Sequence, residues 1–142
     1  GVVQEEEPMR IVSGRSGAPS NPALNTFSGT VWQDGVITDL PNVKVNNVTF
    51  TPGGRTYWHY HEHGQLLQVF VGQGYVAGGD GVPRLIGEGD TVYIEPGERH
   101  WHGGTQQSYC GHTAITLGAT TWLDEVTEAE YAEAAELNGI GR

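Results

Sequence analysis

All six histidines of this 142-residue chain fall between positions 59 and 112, and four of them form two His-x-His pairs. The first pair is His59 and His61, in R-T-Y-W-H-Y-H-E-H-G-Q, and the second is His100 and His102, in P-G-E-R-H-W-H-G. Successive side chains of a β-strand point to opposite faces, so residues two apart project the same way. Each pair therefore aims two imidazoles at one spot, and two such strands brought face to face make a metal site. Imidazole is a common ligand of divalent transition metals.

The surrounding pattern supplies such strands. From Phe27 to Thr121 short apolar runs, at 29–33, 43–51, 56–61, 65–71, 75–78, 82–86, 91–95, 100–102 and 109–117, alternate with turn signals. The breaks are Pro52-Gly53-Gly54, Gly72-Gln73-Gly74, Gly78-Gly79-Asp80-Gly81 and Gly87-Glu88-Gly89-Asp90. Strands this short and regular predict an all-β sandwich or barrel, not a βαβ fold. One helix is expected at 128–137, with Thr127 and Glu130 as a capping box and Gly139 past its end. Its thin stripe of Tyr131, Ala134 and Ala135 should pack on the barrel exterior. Residues 1–25, with Glu5, Glu6 and Glu7 and then Gly, Ser, Pro and Asn, read as an extended arm. The expected organisation is an arm at 1–25, a barrel at 26–121 and a helical tail at 122–142.

Composition narrows the partners. At 15.3 kDa the chain is long enough for one domain with a real core. The formal charge is −10, with one lysine, Lys44, so nucleic acid and anionic membrane are poor partners. Cys110 is the only cysteine, which excludes an internal disulfide and a Cys-rich zinc site. No segment has the length of a membrane span, and residues 1–10 lack a secretory leader's basic-then-apolar pattern. A cytoplasmic location is the expectation.

The β body resembles a cupin, a jelly-roll or double-stranded β-helix barrel. Gly53, five residues, His59-x-His61, three residues, Gln65 and six residues to Gly72 match the first cupin motif except at one position. Gly89-Asp90 followed by Pro96-Gly97-Glu98-Arg99-His100 resembles the second, with the proline one residue late. The resemblance implies metal ligands at His59, His61, Gln65 and His100. The departure is Gln65, where most cupins have glutamate. H-x-H-x-x-G-Q, P-G-E-x-H-W-H-G and Gly111-His112-Thr113-Ala114-Ile115 narrow the likeness to small bacterial cupins that act as manganese-dependent hydroxynitrile lyases. Related domains occur beside carboxymuconolactone decarboxylase modules. The likeness covers about residues 26–131, and it points to a subfamily more than to a substrate.

Further roles follow from this likeness and from strand parity. One divalent transition metal per chain is implied, manganese first, with iron, nickel, cobalt or zinc as alternatives. Gln65 would leave the metal's charge unneutralised, which favours Lewis-acid chemistry over redox cycling with oxygen; the other reading is a polar strand residue that misses the metal. His102 and His112 are candidates for a general base, or for groups that merely orient a ligand. His63 has the right parity but sits at a turn, and is assigned to the pocket rim. The alternation of 43–50 slips, and the resemblance puts Asn46 and Val48 in the pocket wall; a β-bulge at Asn46-Asn47 is the alternative. Trp58 and Trp101 point away from the metal, and Arg55 and Arg99 are expected in structural salt bridges.

The reaction this favours is cleavage of a small cyanohydrin-like substrate. An iron-dependent dioxygenase on a phenolic or diketone, and a binding protein without turnover, are the competing readings. A homodimer or homotetramer is expected, because cupin sheets present broad apolar faces.

Overall fold

Histidine pairs need strands beneath them, and strands dominate the protein. A computed structural model describes residues 8–14 and 17–141. The strands are β1 (Asn21–Pro22), β2 (Phe27–Ser28), β3 (Val31–Ile37), β4 (Val43–Phe50), β5 (Arg55–Thr56) and β6 (His59–His61). They continue with β7 (Gln65–Ala77), β8 (Arg84–Gly87), β9 (Thr91–Ile94), β10 (Trp101–Gly104), β11 (Cys110–Leu117) and β12 (Thr120–Trp122), and a helix α1 (Glu128–Asn138) follows. The expected all-β class with one short helix holds. The expected arm at 1–25 lies partly outside the described residues, Glu5, Glu6 and Glu7 among them.

One antiparallel sheet carries ten of the strands, in the order β1-β3-β4-β11-β7-β10-β5-β2, with β8 and β9 also paired to β7. It curls into a barrel because β7 serves both walls. Its first half pairs with β11 and β9, and its second half with β10 and β8. A break is expected at Gly72-Gln73-Gly74; the chain instead bends there without leaving the sheet. Phe70 is an extra residue against β11, where His112 faces Val69 and Gly111 faces Val71. That one-residue bulge reverses the strand's parity. Gln65, Leu67 and Val69 point inward before it, and Gly74 and Val76 after it. Gly72 has φ +74°, and a Cβ there would strike the Tyr109 carbonyl. A turn-like tripeptide is thus the corner of the barrel.

The inner face consists of rows read across β4, β11 and β7. Lys44, Thr116 and Gln65 form one row, Asn46, Ala114 and Leu67 the next, and Val48, His112 and Val69 the third. No slip occurs in β4. The irregularity lies on its neighbour, between Gly35 and Ile37 of β3, so the alternative of a bulge at Asn46-Asn47 is not realised.

The helix covers the outside of the β10 wall. Glu130 N donates to Thr127 Oγ1 at 3.1 Å and Thr127 N donates to Glu130 Oε1 at 3.0 Å, the predicted capping box. Such a cap is worth about 1 kcal/mol. Tyr131 and Ala134 bury against Trp58, Tyr75, Ala77 and Trp101, so both tryptophans do face away from the histidines. Arg55 forms the expected salt bridge, to Glu128 at 3.0 Å. Arg99 forms none among the described residues: its guanidinium lies over the Trp58 ring at 3.6 Å, a cation–π contact.

Candidate metal centre and cavity

The two histidine motifs are stitched together by the backbone itself. His59 N donates to the His100 carbonyl and His100 N to the His59 carbonyl, both at 2.9 Å. Directly opposed residues of an antiparallel pair share a face, and the two rings lie 4.1 Å apart between centroids. His61 follows at the same parity. Ligating atoms of His59, His61 and His100 all fall within 4.8 Å of one another, and all three residues are buried.

What the second nitrogen of each ring touches decides which nitrogen is left for a cation. His59 Nδ1 is 2.8 Å from the Tyr57 carbonyl, and His100 Nδ1 is 2.8 Å from the Glu98 carbonyl. A carbonyl only accepts, so both Nδ1 atoms carry hydrogen and both Nε2 atoms keep a lone pair. His61 Nδ1 meets Thr120 Oγ1 at 2.8 Å, and its buried Nε2 has no hydrogen-bond partner among the described residues. Burial, reinforced by His100, lowers the His61 imidazole to about 4. Burial lowers His100 to about 4 as well, and holds His59 well below its ordinary value, with His100 adding to the effect. All three rings are neutral near pH 7, as metal ligands must be.

Gln65 completes the set. Its Nε2 donates to Thr116 Oγ1 at 2.9 Å, which turns Oε1 to within 3.3 Å of His100 Nε2. Both atoms in that contact are lone-pair acceptors, given the hydrogen on His100 Nδ1. Two acceptors facing each other in a buried site are unfavourable unless a cation lies between them. The residues present therefore fit a divalent metal held by His59, His61, Gln65 and His100.

A cavity of about 120 Å³ opens beside this group. Sheet β4 and β11 contribute Lys44, Asn46, Val48, Ala114 and Thr116, and the opposite wall contributes Phe27, Thr56, His102 and Trp122. Asn46 and Val48 thus line it as expected. His63 does not. The strand ends at His61, and the turn before Gly64 (φ +96°) throws the His63 side chain into solvent, where its Nε2 meets Glu62 at 2.7 Å.

His102 lines the cavity and is buried, with Nε2 lacking a partner among the described residues. Its Nδ1 lies 3.1 Å from His112 Nε2. His112 is not in the cavity wall: it packs behind His102, with the Phe50 ring 5.3 Å away. Burial lowers His112 to about 4, and burial together with His112 and the other imidazoles holds His102 well below its ordinary value.

Sequence reading did not single out Thr116, Thr120, Trp122 or the cavity position of Lys44. Thr120 and Trp122 belong to β12, which pairs Thr120 with His61 and Trp122 with His59. No local pattern marks that strand. Lys44 was within reach, since it shares parity with Asn46 and Val48.

Residues 46–110 match the Cupin domain family model. An (R)-mandelonitrile lyase from Granulicella tundricola is 38% identical over 129 residues, spanning 87% of this chain and 98% of that protein. A cupin-like protein from Thermotoga maritima superposes with a TM-score of 0.75 at 32% identity, covering 90% of this chain and 97% of its own. A polyketide cyclase from Streptomyces resistomycificus shares the fold at a TM-score of 0.70 and 17% identity, over 93% of this chain and 99% of that one. Two histidine motifs joined across one backbone bridge, an inward Gln65 beside them and these likenesses lead to one assignment: the chain belongs to the cupin family.

Proposed function

We propose that this cupin is a metal-dependent lyase that cleaves a small cyanohydrin-like substrate to a carbonyl compound and cyanide. The observation that carries the reading is the buried Nε2 of His102, unpartnered in the cavity wall while Nδ1 is held by His112. The 38% identity to an (R)-mandelonitrile lyase supports it.

The pair allows two tautomers, and the lyase reading uses one of them: His102 Nδ1–H donates to His112 Nε2, and the hydrogen of His112 sits on Nδ1, which has no hydrogen-bond partner among the described residues. His102 Nε2 then offers a lone pair to the cavity. In that state it takes the proton of a substrate hydroxyl. The oxygen's electron pair forms the carbonyl, the carbon–carbon bond to the nitrile breaks, and cyanide leaves with the two electrons of that broken bond. His102 returns the proton to cyanide, so the ring ends as it began. When bound by His59, His61, Gln65 and His100, a divalent metal supplies a Lewis acid that eases ionisation of the hydroxyl. Burial of His102 makes it a weaker base, so it opposes the first proton transfer and favours the return of the proton to cyanide.

Manganese is the metal we propose, in a cytoplasmic enzyme. We also propose a homodimer or homotetramer. Phe70 and Tyr93, 53% and 55% exposed, stand on the sheet surfaces a second copy would cover. Sedimentation showing only a 15.3 kDa species at micromolar concentration removes that part. The function is tested by following mandelonitrile cleavage by manganese-loaded protein in air and under nitrogen. Equal rates are expected. A rate that needs oxygen favours the dioxygenase reading instead.

A further inference from the structure

We infer that the natural substrate is a small organic acid, and that Lys44 at the cavity takes its carboxylate. The inference rests on the cavity being the substrate site proposed above, and it names the class of molecule that site selects.

The chain carries 17 acidic groups and one lysine. That lysine lines the cavity, and no Asp or Glu does so among the described residues. Lys44 is the only Lys, Arg, Asp or Glu in the cavity wall among the described residues. Lys44 makes no salt bridge among the described residues, whereas Arg10, Arg55 and Arg84 each pair with a carboxylate. A cleft lined by one sign of charge focuses its field on an entering ion. In a molecule of net charge −10, this cation-lined cavity is where an entering anion meets the least repulsion.

Geometry fixes the rest. Lys44 faces Thr116 across β4 and β11, and Thr116 faces Gln65 across β11 and β7. Two strand spacings put the Lys44 backbone roughly 10 Å from that of Gln65. Both side chains rise from the same face of the sheet. A molecule bridging them has its carboxylate at one end and its reacting hydroxyl about one aromatic ring, or a short carbon chain, away. Asn46 and Gln33, also in the wall, offer amides along that path. A neutral substrate such as mandelonitrile fills the reacting end and leaves Lys44 unused.

Calorimetry on the manganese-loaded protein, comparing 4-(hydroxymethyl)benzoate with benzyl alcohol, tests this without turnover. The acid should bind about tenfold tighter, the low end for a hydrogen bond to a charged group because Lys44 is solvent-exposed. The preference should shrink in high salt, persist in Lys44→Arg, vanish in Lys44→Met and reverse in Lys44→Glu. The rate of cyanide addition to 4-carboxybenzaldehyde relative to benzaldehyde should follow the same order. Equal binding of the two alcohols, no binding of either, or a preference that survives Lys44→Met overturns the inference. A Lys44-dependent preference without turnover of any cyanohydrin sinks the lyase reading and leaves this one standing. Cleavage of mandelonitrile with no acid preference does the reverse.

Discussion

Two groups of imidazoles share one barrel and differ in a single respect. His59, His61 and His100 tie Nδ1 to a carbonyl or a hydroxyl and turn Nε2 toward a common point. His102 and His112 tie their nitrogens to each other. Burial does not separate the groups, since it lowers His61, His100 and His112 alike to about 4. Nor does strand position: His100 and His102 are two residues apart, their rings stacked 5.6 Å between centroids. The second nitrogen's partner makes the difference. A carbonyl partner, as at His59 and His100, fixes one tautomer and leaves Nε2 with a lone pair for a cation, whereas an imidazole partner accepts or donates and leaves the tautomer open.

The largest expected effect is on the fold, and it would break the claim that both groups are buried and neutral. Their folded values lie below the ordinary 6.5, so on acidification the unfolded chain takes up protons first. Stability is therefore fully present above about pH 6.5 and falls as the pH drops toward 4. The unfolding midpoint of metal-free protein, measured by circular dichroism from pH 7.5 to pH 5, should decline steadily. A midpoint that stays constant to pH 5 would mean that these rings are not buried and neutral.

Substitutions then separate the two groups. His100→Ala should lose metal and activity together, as read by metal analysis and mandelonitrile cleavage. His102→Ala should keep full metal occupancy and lose about two to four orders of magnitude in rate, the usual worth of a positioned base. His112→Phe should keep the metal too and lose only about ten- to a hundredfold, because it acts through the orientation of His102. An active His102→Ala beside an inactive His112→Phe would transfer the base role to His112. If both variants keep full rate, neither imidazole is the base.

The first group was more legible in the sequence than the second. Period-two parity alone puts His59 with His61 and His100 with His102, and the backbone bridge between the motifs realises it. Parity misled at His63, because it holds only while the strand lasts and β6 ends at His61. It could not rank His102 against His112, since they stand on different strands, β10 and β11, and only tertiary packing decides which ring meets the cavity. Glycine was the other ambiguity. Gly72-Gln73-Gly74 reads as a turn, yet the same freedom at φ > 0 serves a bulge in a continuous strand. Only the approach of Tyr109 and Gly103 to those glycines distinguishes the two, and those partners lie thirty or so positions away.

The smallest expected effect sharpens the comparison at Gln65, the one candidate ligand that is not an imidazole. An amide has no fixed tautomer, so its orientation must come from a neighbour, and Thr116 Oγ1 is that neighbour at 2.9 Å. Thr116→Val keeps the shape and removes the acceptor. The Gln65 amide is then free to turn its NH2 toward His100 Nε2, where it would donate a hydrogen bond instead of offering an oxygen to a cation. Metal affinity, measured by competition with a chelator, should weaken by about tenfold, the lower end for loss of a group that orients a ligand. Gln65→Glu gives the opposite pattern: a carboxylate has an oxygen facing the site in either orientation, so binding is kept or strengthened. Its negative charge neutralises part of the cation's, so cleavage should slow while occupancy stays full. Adding Thr116→Val to Gln65→Glu should then cost little further affinity, because no orientation remains to be lost. If Thr116→Val weakens the metal equally in both backgrounds, the threonine serves the cavity wall and not the amide, and Gln65 is oriented by something else.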